Sequence, residues 1–269
     1  MHFDPSIHIR SFLAGLGLPQ TPNEERLLSL KDKHQGQRCF ILGNGPSLND
    51  IDLTLLKDEI TFGVNAIYTN FEKMGFYPTY YVVEDKFVAE DRANEINAYR
   101  DSIKLFGNYL RYCLEPDEQT ILLNVIFNFK NYRNFPHFST NMARRLWVGG
   151  TVSYLCMQIA YYMGFETVYL IGFDHSYKVP DSAIVKGSNI LSTDDDVNHF
   201  NAAYFGKGKR WHDPMLFRME KAYLKARRYF EEDGRKIVNA TAGGKLEIFE
   251  RCDYKSLFEA DAINSSNEN

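Results

Sequence analysis

The chain has 269 residues, a formal net charge of −4, and 44% hydrophobic and 14% aromatic residues. These proportions are typical of a globular protein, and the lack of net positive charge argues against nucleic acid as a partner. No apolar run reaches the roughly 18 residues that a membrane span needs, and the N-terminus lacks a basic segment followed by an apolar core. We therefore expect a soluble, cytoplasmic protein that makes at most peripheral contact with the inner face of the membrane.

Composition divides the chain into three parts. Residues 1–36 carry two apolar patches among prolines and charges, which predicts a helical lead-in that packs on the main domain. Residues 37–258 contain no obvious linker and predict one α/β domain, in which the polar, glycine-containing segment at about 178–212 is long enough to form a lid. The acidic, Asn- and Ser-rich tail at 259–269 predicts disorder.

Strand-like and helix-like segments alternate along the main domain. The strand-like segments are rich in β-branched and aromatic residues and lie at 38–42, 60–65, 79–84, 103–106, 121–127, 167–171, 236–239 and 246–249. Residues 151–164 are apolar on nearly every side and predict a buried helix, and Asp213 followed by Pro214 predicts the capped start of another. The alternation predicts an α/β fold with a mostly parallel sheet and helices on both faces.

The first predicted strand runs directly into the turn Gly43-Asn44-Gly45. Ligands of parallel sheets bind beyond the carboxyl ends of the strands, and a glycine turn lets its amides approach a phosphate or a base edge. The turn matches neither GxGxxG nor GxxxxGK[ST]. An ordinary strand-to-helix turn, with Asn44 left-handed and Ser47 as a cap, is therefore the other interpretation.

Polar residues recur at the same end of the neighbouring predicted strands. They are Asn65, Glu84, Asp85 and Asp174. Because the carboxyl ends of parallel strands meet at one edge of a sheet, we expect a site there and include Asp85 and Asp174 among its nucleotide- or donor-binding residues. The four cysteines are scattered without CxxC spacing, so we expect packing residues and no metal site among them.

Several motifs carry a resemblance to known families. They are ILGNGPSLNDID, GVNAIY, GGTVSYLCMQIAYYMGFETVYLIGFDHSY, and NHF after an acidic stretch. They resemble the bacterial CMP-sialic acid transferases of glycosyltransferase family 42. They resemble at least as closely the wider 6-hydroxymethylpterin pyrophosphokinase-like domain, which also forms the core of motility accessory factor proteins implicated in attaching nonulosonic sugars to flagellin. The resemblance covers roughly residues 36–258 and implies a Rossmann-like, single-nucleotide fold.

The sialyltransferase resemblance also implies roles for individual residues. The residues that would contact the nucleotide or the donor sugar are Gly43, Asn44, Gly45, Asn65, Thr151 and Ser153. His199, within DDDVNHF, stands at the position of the catalytic histidine of that family. The resemblance implies a CMP-sugar as the donor substrate and no cofactor.

The chemistry of the residues agrees with these roles. A sugar hydroxyl is a poor nucleophile near neutral pH, so direct displacement benefits from a positioned base such as His199. The departing CMP is already an anion and needs only hydroxyls or cations around it. We expect Tyr177, in the donor site, and Tyr204, Lys207 and Arg210 to stabilise its phosphate. The same residues also fit plainer roles: an exposed loop histidine, packing tyrosines and a solvated basic face.

Other polar residues near the strand ends also have two interpretations. His175 either lines the site or has a structural role, and His212 fits the local capping of the predicted helix. The run from Asp194 to Asp196 either steadies His199 or faces water.

The sequence departs from the sialyltransferase pattern at Glu84 and Asp85, where that family has a donor-binding asparagine. A carboxylate there would repel a sialic acid carboxylate. These two residues and Asp174 could instead place Mg²⁺ on the phosphates of ATP.

Three hypotheses follow. The preferred one is an inverting, metal-independent glycosyltransferase that uses a CMP-activated nonulosonic acid or a similar sugar, acting on a glycan or protein acceptor in surface glycan synthesis or flagellin glycosylation. The alternative is a Mg²⁺-dependent, 6-hydroxymethylpterin pyrophosphokinase-like enzyme that binds ATP. The third is a catalytically silent nucleotide-binding module. The sequence makes no prediction of the oligomeric state.

Overall fold

The structure, a computed structural model, describes residues 6–127 and 135–259. In chain order its strands are β1 (Arg38–Leu42), β2 (Thr61–Val64), β3 (Tyr80–Val83), β4 (Ile103–Gly107), β5 (Thr120–Leu123), β6 (Val125–Ile126), β7 (Leu146–Trp147), β8 (Thr167–Ile171), β9 (Ile184–Lys186), β10 (Asn189–Leu191), β11 (Arg210–His212), β12 (Lys236–Asn239) and β13 (Glu250–Arg251). Its α-helices are α1 (Ser6–Gly15), α2 (Pro22–Ser29), α3 (Phe71–Met74), α4 (Lys86–Asp91), α5 (Ala93–Ala98), α6 (Val152–Tyr162) and α7 (Leu216–Glu232). In this part of the chain, no helix has both the length and the apolar character to cross a membrane.

The main sheet of the described chain has eight strands in the order β13-β12-β8-β1-β2-β3-β4-β5. Every neighbouring pair in it is parallel. From β1 the chain adds strands towards β5 on one side, and then returns to add β8, β12 and β13 on the other. The strand order therefore reverses between β1 and β8, where a crevice opens at the carboxyl ends of the strands.

Helices cover both faces of this sheet, which confirms the predicted Rossmann-like α/β fold. In β1, Cys39 and Ile41 face one apolar core together with residues of α1, α2, α6 and α7. Phe40 and Leu42 face the opposite core, with residues of α3, α4 and α5. Alternate side chains of a strand point to opposite faces, so a strand buried on both faces is apolar throughout. Each fully buried side chain of this size contributes about 1.5–3 kcal/mol.

The lead-in contains α1 and α2, and α2 covers the outer edge of the sheet at β5. Asn23 accepts a hydrogen bond from Leu122 N at 2.7 Å and donates one to Leu122 O at 3.0 Å. Arg26 donates to Thr120 O at 2.8 Å. These side chains take the place of a further strand, so the backbone groups of the edge are satisfied.

The structure corrects three predicted elements. Residues 246–249 do not form a strand: Leu246 O accepts from Asn239 Nδ2 at 2.9 Å, and the last strand is β13. The predicted strand at 121–127 is divided between β5 and β6. The helix expected at Asp213 begins at Leu216 without a side-chain cap, because Asp213 N still donates to Ser188 O at 2.8 Å beside β11.

Residues 178–212, predicted as a lid-like polar loop, contain a small antiparallel sheet of β9, β10 and β11. Trp211 is buried there and donates to Ser192 Oγ at 3.0 Å. Asn198 joins the start of the segment to its middle, since its side chain accepts from Lys178 N at 2.7 Å and donates to Lys178 O at 2.8 Å. The predicted disordered tail lies outside the described residues from position 260 onwards.

Candidate functional site

A cleft opens where the strand order reverses, between the residues that follow β1 and β8. Most of the predicted site residues line it: Gly43, Asn44, Gly45, Asn65, Asp85, Thr151, Ser153, Asp174, Tyr177, His199 and Tyr204. Glu84, His175 and His212 line it as well. The structure therefore brings together residues that are up to about 170 positions apart in the chain, at the place where open α/β sheets bind ligands.

The glycine turn is held by backbone contacts with the turn after β8. Gly43 N donates to Ile171 O at 2.8 Å, and Gly45 N donates to Gly172 O at 3.0 Å. A Cβ at Gly43 would lie 2.4 Å from Gly172 O, and one at Gly45 would lie 1.8 Å from Asp174 Oδ2. Glycine is thus required for the close approach of the two turns, and these two amides serve the fold. They are therefore not free to donate to a phosphate, and the contact of Gly43 and Gly45 with a nucleotide by other atoms stays a prediction.

Asn44, between the two glycines, has an unsatisfied oxygen. Its Nδ2 donates to Val64 O at 3.1 Å and to Tyr204 Oη at 2.8 Å. Its Oδ1 is buried and has no hydrogen-bond partner among the described residues. Its φ angle is not positive, unlike those of Asn65 and His175, at 50° and 51°. A buried acceptor without a partner is costly, so Oδ1 suits an N–H or O–H group of a ligand.

Asp174 braces the glycine turn. Its Oδ1 accepts from Ser47 N at 3.2 Å, and its Oδ2 accepts from Ser47 Oγ at 2.7 Å. The carboxylate lines the cleft, but both oxygens are engaged by the protein. Asp174 therefore supports the turn, and because each carboxylate oxygen can accept a second hydrogen bond, its contact with a ligand stays a prediction.

Two further predicted residues lie where β2 and α6 meet the cleft. Asn65 follows β2 in a left-handed conformation that asparagine tolerates better than most residues, and its Oδ1 lies 3.4 Å from Glu84 N. Thr151 caps α6, because its Oγ1 accepts from Ser153 N at 3.3 Å. The start of α6 therefore presents hydroxyl groups and helix N-terminal amides to the cleft.

His199 lies in a tightly packed pocket of the lid segment and is not in bulk solvent. Its side chain is 12% exposed, and its Nδ1 lies 2.7 Å from Asp196 Oδ2. Its ring stacks on Tyr204 with centroids 4.1 Å apart and planes within 2°. The next residue ties this segment to the glycine turn, since Phe200 N donates to Asn44 O at 2.9 Å. The structure thus places the imidazole beside the turn.

The pair with Asp196 sets the tautomer of His199. Asp196 also accepts from Asn198 N at 2.8 Å and from Phe205 N at 2.9 Å. Burial raises the pKa of Asp196, but these hydrogen bonds and the one with His199 outweigh burial and hold it below its ordinary value. An ionised carboxylate only accepts, so Nδ1 of His199 carries the proton. In neutral His199, the Nε2 lone pair is then the available base.

Tyr204 packs against the His199 ring and helps to hold it in place. It is 1% exposed, and its hydroxyl accepts from Asn44 Nδ2 at 2.8 Å and lies 3.4 Å from Ala66 N. Because Tyr204 is almost completely buried and its ring stacks on His199, it positions the imidazole. The prediction that it stabilises a phosphate is not supported by this geometry. Tyr177 is 36% exposed in the cleft, with its ring 6.5 Å from that of His199.

Arg92, between α4 and α5, anchors the same segment and was missed in the sequence. Its side chain is 7% exposed, and its Nη2 donates to Ala203 O at 2.7 Å and to Tyr204 O at 2.8 Å. Its Nη1 contacts Glu95 at 3.2 Å. An arginine inside a helical region gives no sequence signal of a bond to a loop more than a hundred residues away.

Lys207 and Arg210 do not line the cleft, so the structure does not place them where their predicted contact with the phosphate requires. Lys207 is exposed. Arg210 Nε donates to Asp91 Oδ1 at 3.1 Å and its Nη2 to Glu90 Oε2 at 3.0 Å, and the guanidinium lies 4.7 Å from the centroid of the Phe87 ring. The guanidinium therefore pairs with carboxylates of α4 and holds β11 against that helix.

The far side of the cleft holds an acid–histidine group that the sequence did not indicate. Asp85 caps α4, since its Oδ1 accepts from Phe87 N at 2.7 Å and Val88 N at 3.0 Å, and its Oδ2 lies 3.5 Å from His212 Nδ1. Burial, and then the nearby charge of Asp85, raise the pKa of Glu84 to about 7. His212 therefore lines the cleft and does not cap a helix.

The described residues include no group of three or more His, Cys, Asp or Glu side chains placed to hold a metal ion. Asp174 is engaged by Ser47, and Asp85 by the start of α4 and by His212. The predicted magnesium ligands Glu84, Asp85 and Asp174 therefore do not form a ready-made cation site.

Comparisons with known proteins agree with this fold. A solved structure of a MAf glycosyltransferase from Magnetospirillum magneticum AMB-1 is similar to the chain, with a TM-score of 0.50 and 15% identity over 93% of this chain. The chain spans 39% of the length of that protein, and at this identity the likeness concerns the fold alone. No curated protein matches the chain.

The comparison with protein families establishes more than a shared fold, because it is based on sequence. Residues 17–180 match the model of the family described as 6-hydroxymethylpterin diphosphokinase MptE-like. The matched region includes β1, the glycine turn, β2, β3, the start of α6 and the turn after β8, and residues in or directly after these elements line the cleft. This match covers more than half of the 269 residues and confirms one of the two resemblances predicted from the motifs. The chain belongs to the 6-hydroxymethylpterin diphosphokinase MptE-like family.

Proposed function

We propose that the chain is a glycosyltransferase that moves a CMP-activated nonulosonic acid, or a similar sugar, to a hydroxyl group of a glycan or protein acceptor. The observation that carries this proposal is the His199–Asp196 pair, which lies beside the glycine turn at the reversal of strand order. The fold shared with a MAf glycosyltransferase supports the reaction class. Surface glycan synthesis or flagellin glycosylation in the cytoplasm is the setting we propose.

The reaction would be a single displacement. The acceptor oxygen forms a bond to the anomeric carbon of the sugar while the bond from that carbon to the phosphate oxygen of CMP breaks. The electron pair of that bond leaves with the phosphate, and the hydroxyl proton moves to Nε2 of His199. Attack opposite to the leaving group inverts the anomeric centre. Asp196 stabilises the imidazolium that forms.

Other residues of the cleft would orient the substrates. Oδ1 of Asn44 accepts a hydrogen bond from the nucleotide, and the hydroxyl groups of Thr151 and Ser153 lie at the start of α6 near its phosphate. Tyr177 donates to the departing phosphate from the open side. We propose that this arrangement needs neither a metal ion nor a cofactor.

The first experiment identifies the nucleotide. Thermal-shift measurements with CMP, CDP, UDP, GDP and ATP, each with and without Mg²⁺, should give the largest stabilisation with CMP and no dependence on the metal. The alternative enzyme, an ATP-dependent pyrophosphokinase of 6-hydroxymethylpterin, is favoured by the description of the family. A preference for ATP with Mg²⁺, weakened by Asp85→Asn, would establish that alternative and refute the CMP-sugar proposal.

The second experiment tests the catalytic role of His199. His199→Ala should lower the rate of sugar transfer by about 10²–10⁴-fold and leave the Kd for CMP within about threefold, because a general base acts on the acceptor. Asp196→Asn should give an intermediate loss of rate. Binding of CMP without any transfer by the wild type, over a range of acceptors, would instead favour a silent binding module.

A further inference from the structure

Apart from histidines, the ionisable side chains with a charge near neutral pH that line the cleft are acidic, which does not suit an anionic ligand. None of the described residues that line the cleft is a lysine or an arginine. The acidic side chains that line it are Glu84, Asp85, Asp174 and Asp213. A phosphate that leaves water for a half-buried cleft needs hydrogen-bond donors or positive charge around it. Arg218 lies behind the lining, with its Cδ 3.4 Å from the position of a Cβ at Gly150, and its charge acts on Glu84. Among the described residues that line the cleft, the histidines are the side chains that can carry positive charge.

The three histidines of the cleft differ in how accessible they are. His199 serves as the base in the proposed function and faces Asp196. The side chain of His175 is 6% exposed, and its Nε2 lies 3.1 Å from Glu220 Oε1. The side chain of His212 is 44% exposed. His212 is thus the imidazole that a ligand can reach and that the proposed reaction leaves unused.

The orientation of His212 is built by its neighbours. Its ring stacks on Phe87 with centroids 4.3 Å apart and planes within 10°. Its Nδ1 lies 3.5 Å from Asp85 Oδ2, and the other oxygen of Asp85 is fixed by the amides of Phe87 and Val88. With Nδ1 turned towards Asp85, Nε2 is the nitrogen left for a ligand.

The surroundings of Phe87 hold this unit in place. The guanidinium of Arg210 lies 4.7 Å from the centroid of the Phe87 ring and is bound to Glu90 and Asp91. Arg210 and His212 are both on β11, and both contact the same phenylalanine. The position of His212 is therefore fixed by packing between β11 and α4.

We propose that His212, in its protonated form, donates a hydrogen bond from Nε2 to the phosphate of the bound nucleotide and supplies positive charge to it. This inference rests on the proposed function. During transfer the same contact would stabilise the negative charge that develops on the departing phosphate, while His199 accepts the proton of the acceptor.

Protonation states support this division of roles. The hydrogen bond with Asp85 raises the pKa of His212, and this effect outweighs burial, which lowers it. Glu84 and Lys86 also face His212, and their charges act in opposite directions. Because the pKa of Glu84 is itself raised to about 7, Glu84 loses its charge in the same range of pH. A test must therefore separate the contributions of Glu84 and His212.

The experiment measures the Kd for CMP by calorimetry at about pH 6 and about pH 8.5, where an ordinary imidazole is largely charged and largely neutral. The variants are His212→Asn, Glu84→Gln and, as a control, His8→Asn on the exposed surface of α1. Comparing each variant with the wild type at the same pH cancels the titration of CMP itself. His212→Asn should weaken binding by roughly tenfold at the lower pH and little at the higher one.

Two further results are expected. Glu84→Gln and His8→Asn should still bind CMP more tightly at the lower pH. Asp85→Asn should move the loss of affinity to a lower pH, because a neutral neighbour no longer favours the imidazolium.

The inference is overturned if the pH dependence survives in His212→Asn and disappears in Glu84→Gln. Equal affinity of the wild type and of His212→Asn for CMP at both pH values would also overturn it, and would leave the proposed function intact. Failure of the wild type to bind any nucleotide of the panel would overturn the proposed function, and the inference with it.

Discussion

The two sides of the cleft are held by different kinds of contact. The turn side, residues 43–45 and 172–174, is fixed by backbone hydrogen bonds and by the close approach of two glycine-containing turns. The lid side, residues 196–212, is fixed by side chains of other elements, among them Arg92 and Asp91. The turn side is thus continuous with the strands of the main sheet. The lid side is joined to the rest of the domain through side-chain contacts. We expect substitutions on the turn side to affect folding, and those on the lid side to affect the reaction.

The largest effect should come from Gly43→Ala on the turn side. The new Cβ would lie 2.4 Å from Gly172 O and 2.9 Å from Gly172 C, and this backbone cannot rotate away. We expect the free energy of unfolding, measured in urea, to fall by about 2–4 kcal/mol. CMP binding should be lost together with the fold.

Gly208→Ala is the matched control on the lid side. A Cβ there meets nothing within 4 Å, and only its positive φ of 83° resists the change. A single left-handed residue costs about 1–2 kcal/mol, so the loss should be the smaller of the two. Equal losses at Gly43 and Gly208 would mean that the turns do not approach as closely as the structure shows.

Arg92→Ala should have the next largest effect, and on rate rather than on binding. Without the bonds to Ala203 O and Tyr204 O, Tyr204 no longer holds the His199 ring in place. A displacement of about 1 Å at a catalytic group can lower kcat by about 10²-fold. We expect a loss of about 10- to 100-fold in kcat for sugar transfer and a Kd for CMP within about threefold of the wild type.

Arg92→Lys separates positioning from general stability. Lysine keeps the charge but cannot donate to two carbonyl groups with the same planar geometry, so kcat should recover only in part. A uniform loss of CMP binding and rate in Arg92→Ala, in proportion to its lower melting temperature, would contradict a positioning role.

The difference between the turn side and the lid side also explains which features could be predicted from the sequence. The strand at 38–42 and the helix at 151–164 were predictable, because continuous burial leaves apolar runs that end at glycine, and those runs occur at β1 and α6. The grouping of Asn65, Asp85 and Asp174 was also predictable, since the carboxyl ends of parallel strands share one edge. These features depend on local pattern and on topology.

The role of each atom in the site was not predictable, because it depends on partners distant in sequence. The Gly43 amide donates to Ile171 O, and the Asp174 carboxylate accepts from Ser47, and the turn motif alone indicates neither partner. The sequence gives no sign that Arg210 has a partner, whereas in the structure it donates to Asp91. The small sheet of β9, β10 and β11 has strands of three residues, which are too short for a clear alternation.

The smallest predicted effects concern stability and have opposite signs at two carboxylates, Glu84 and Asp196. At the end of β3, the pKa of Glu84 is raised from its ordinary 4.5 to about 7, so the folded protein binds the proton more tightly than the unfolded chain. Its ionisation therefore lowers stability as the pH rises from 4.5 to about 7. Glu84→Gln should raise the free energy of unfolding at about pH 8 by roughly 1 kcal/mol, a value reduced for solvent screening, and should change little near pH 4.

On the lid side the sign reverses. The pKa of Asp196 is lowered in the folded protein, so its stabilising contribution is present above the pKa of the unfolded chain and is lost as the pH falls through the folded value. Asp196→Asn should therefore reduce the free energy of unfolding at about pH 8, by roughly 1 kcal/mol, and have little effect in acid. Urea titrations of both variants at several pH values measure the two signs together. If both variants shifted stability in the same direction at about pH 8, the contrast between the two carboxylates would be wrong, because one of them would then lie in a different environment from the one described.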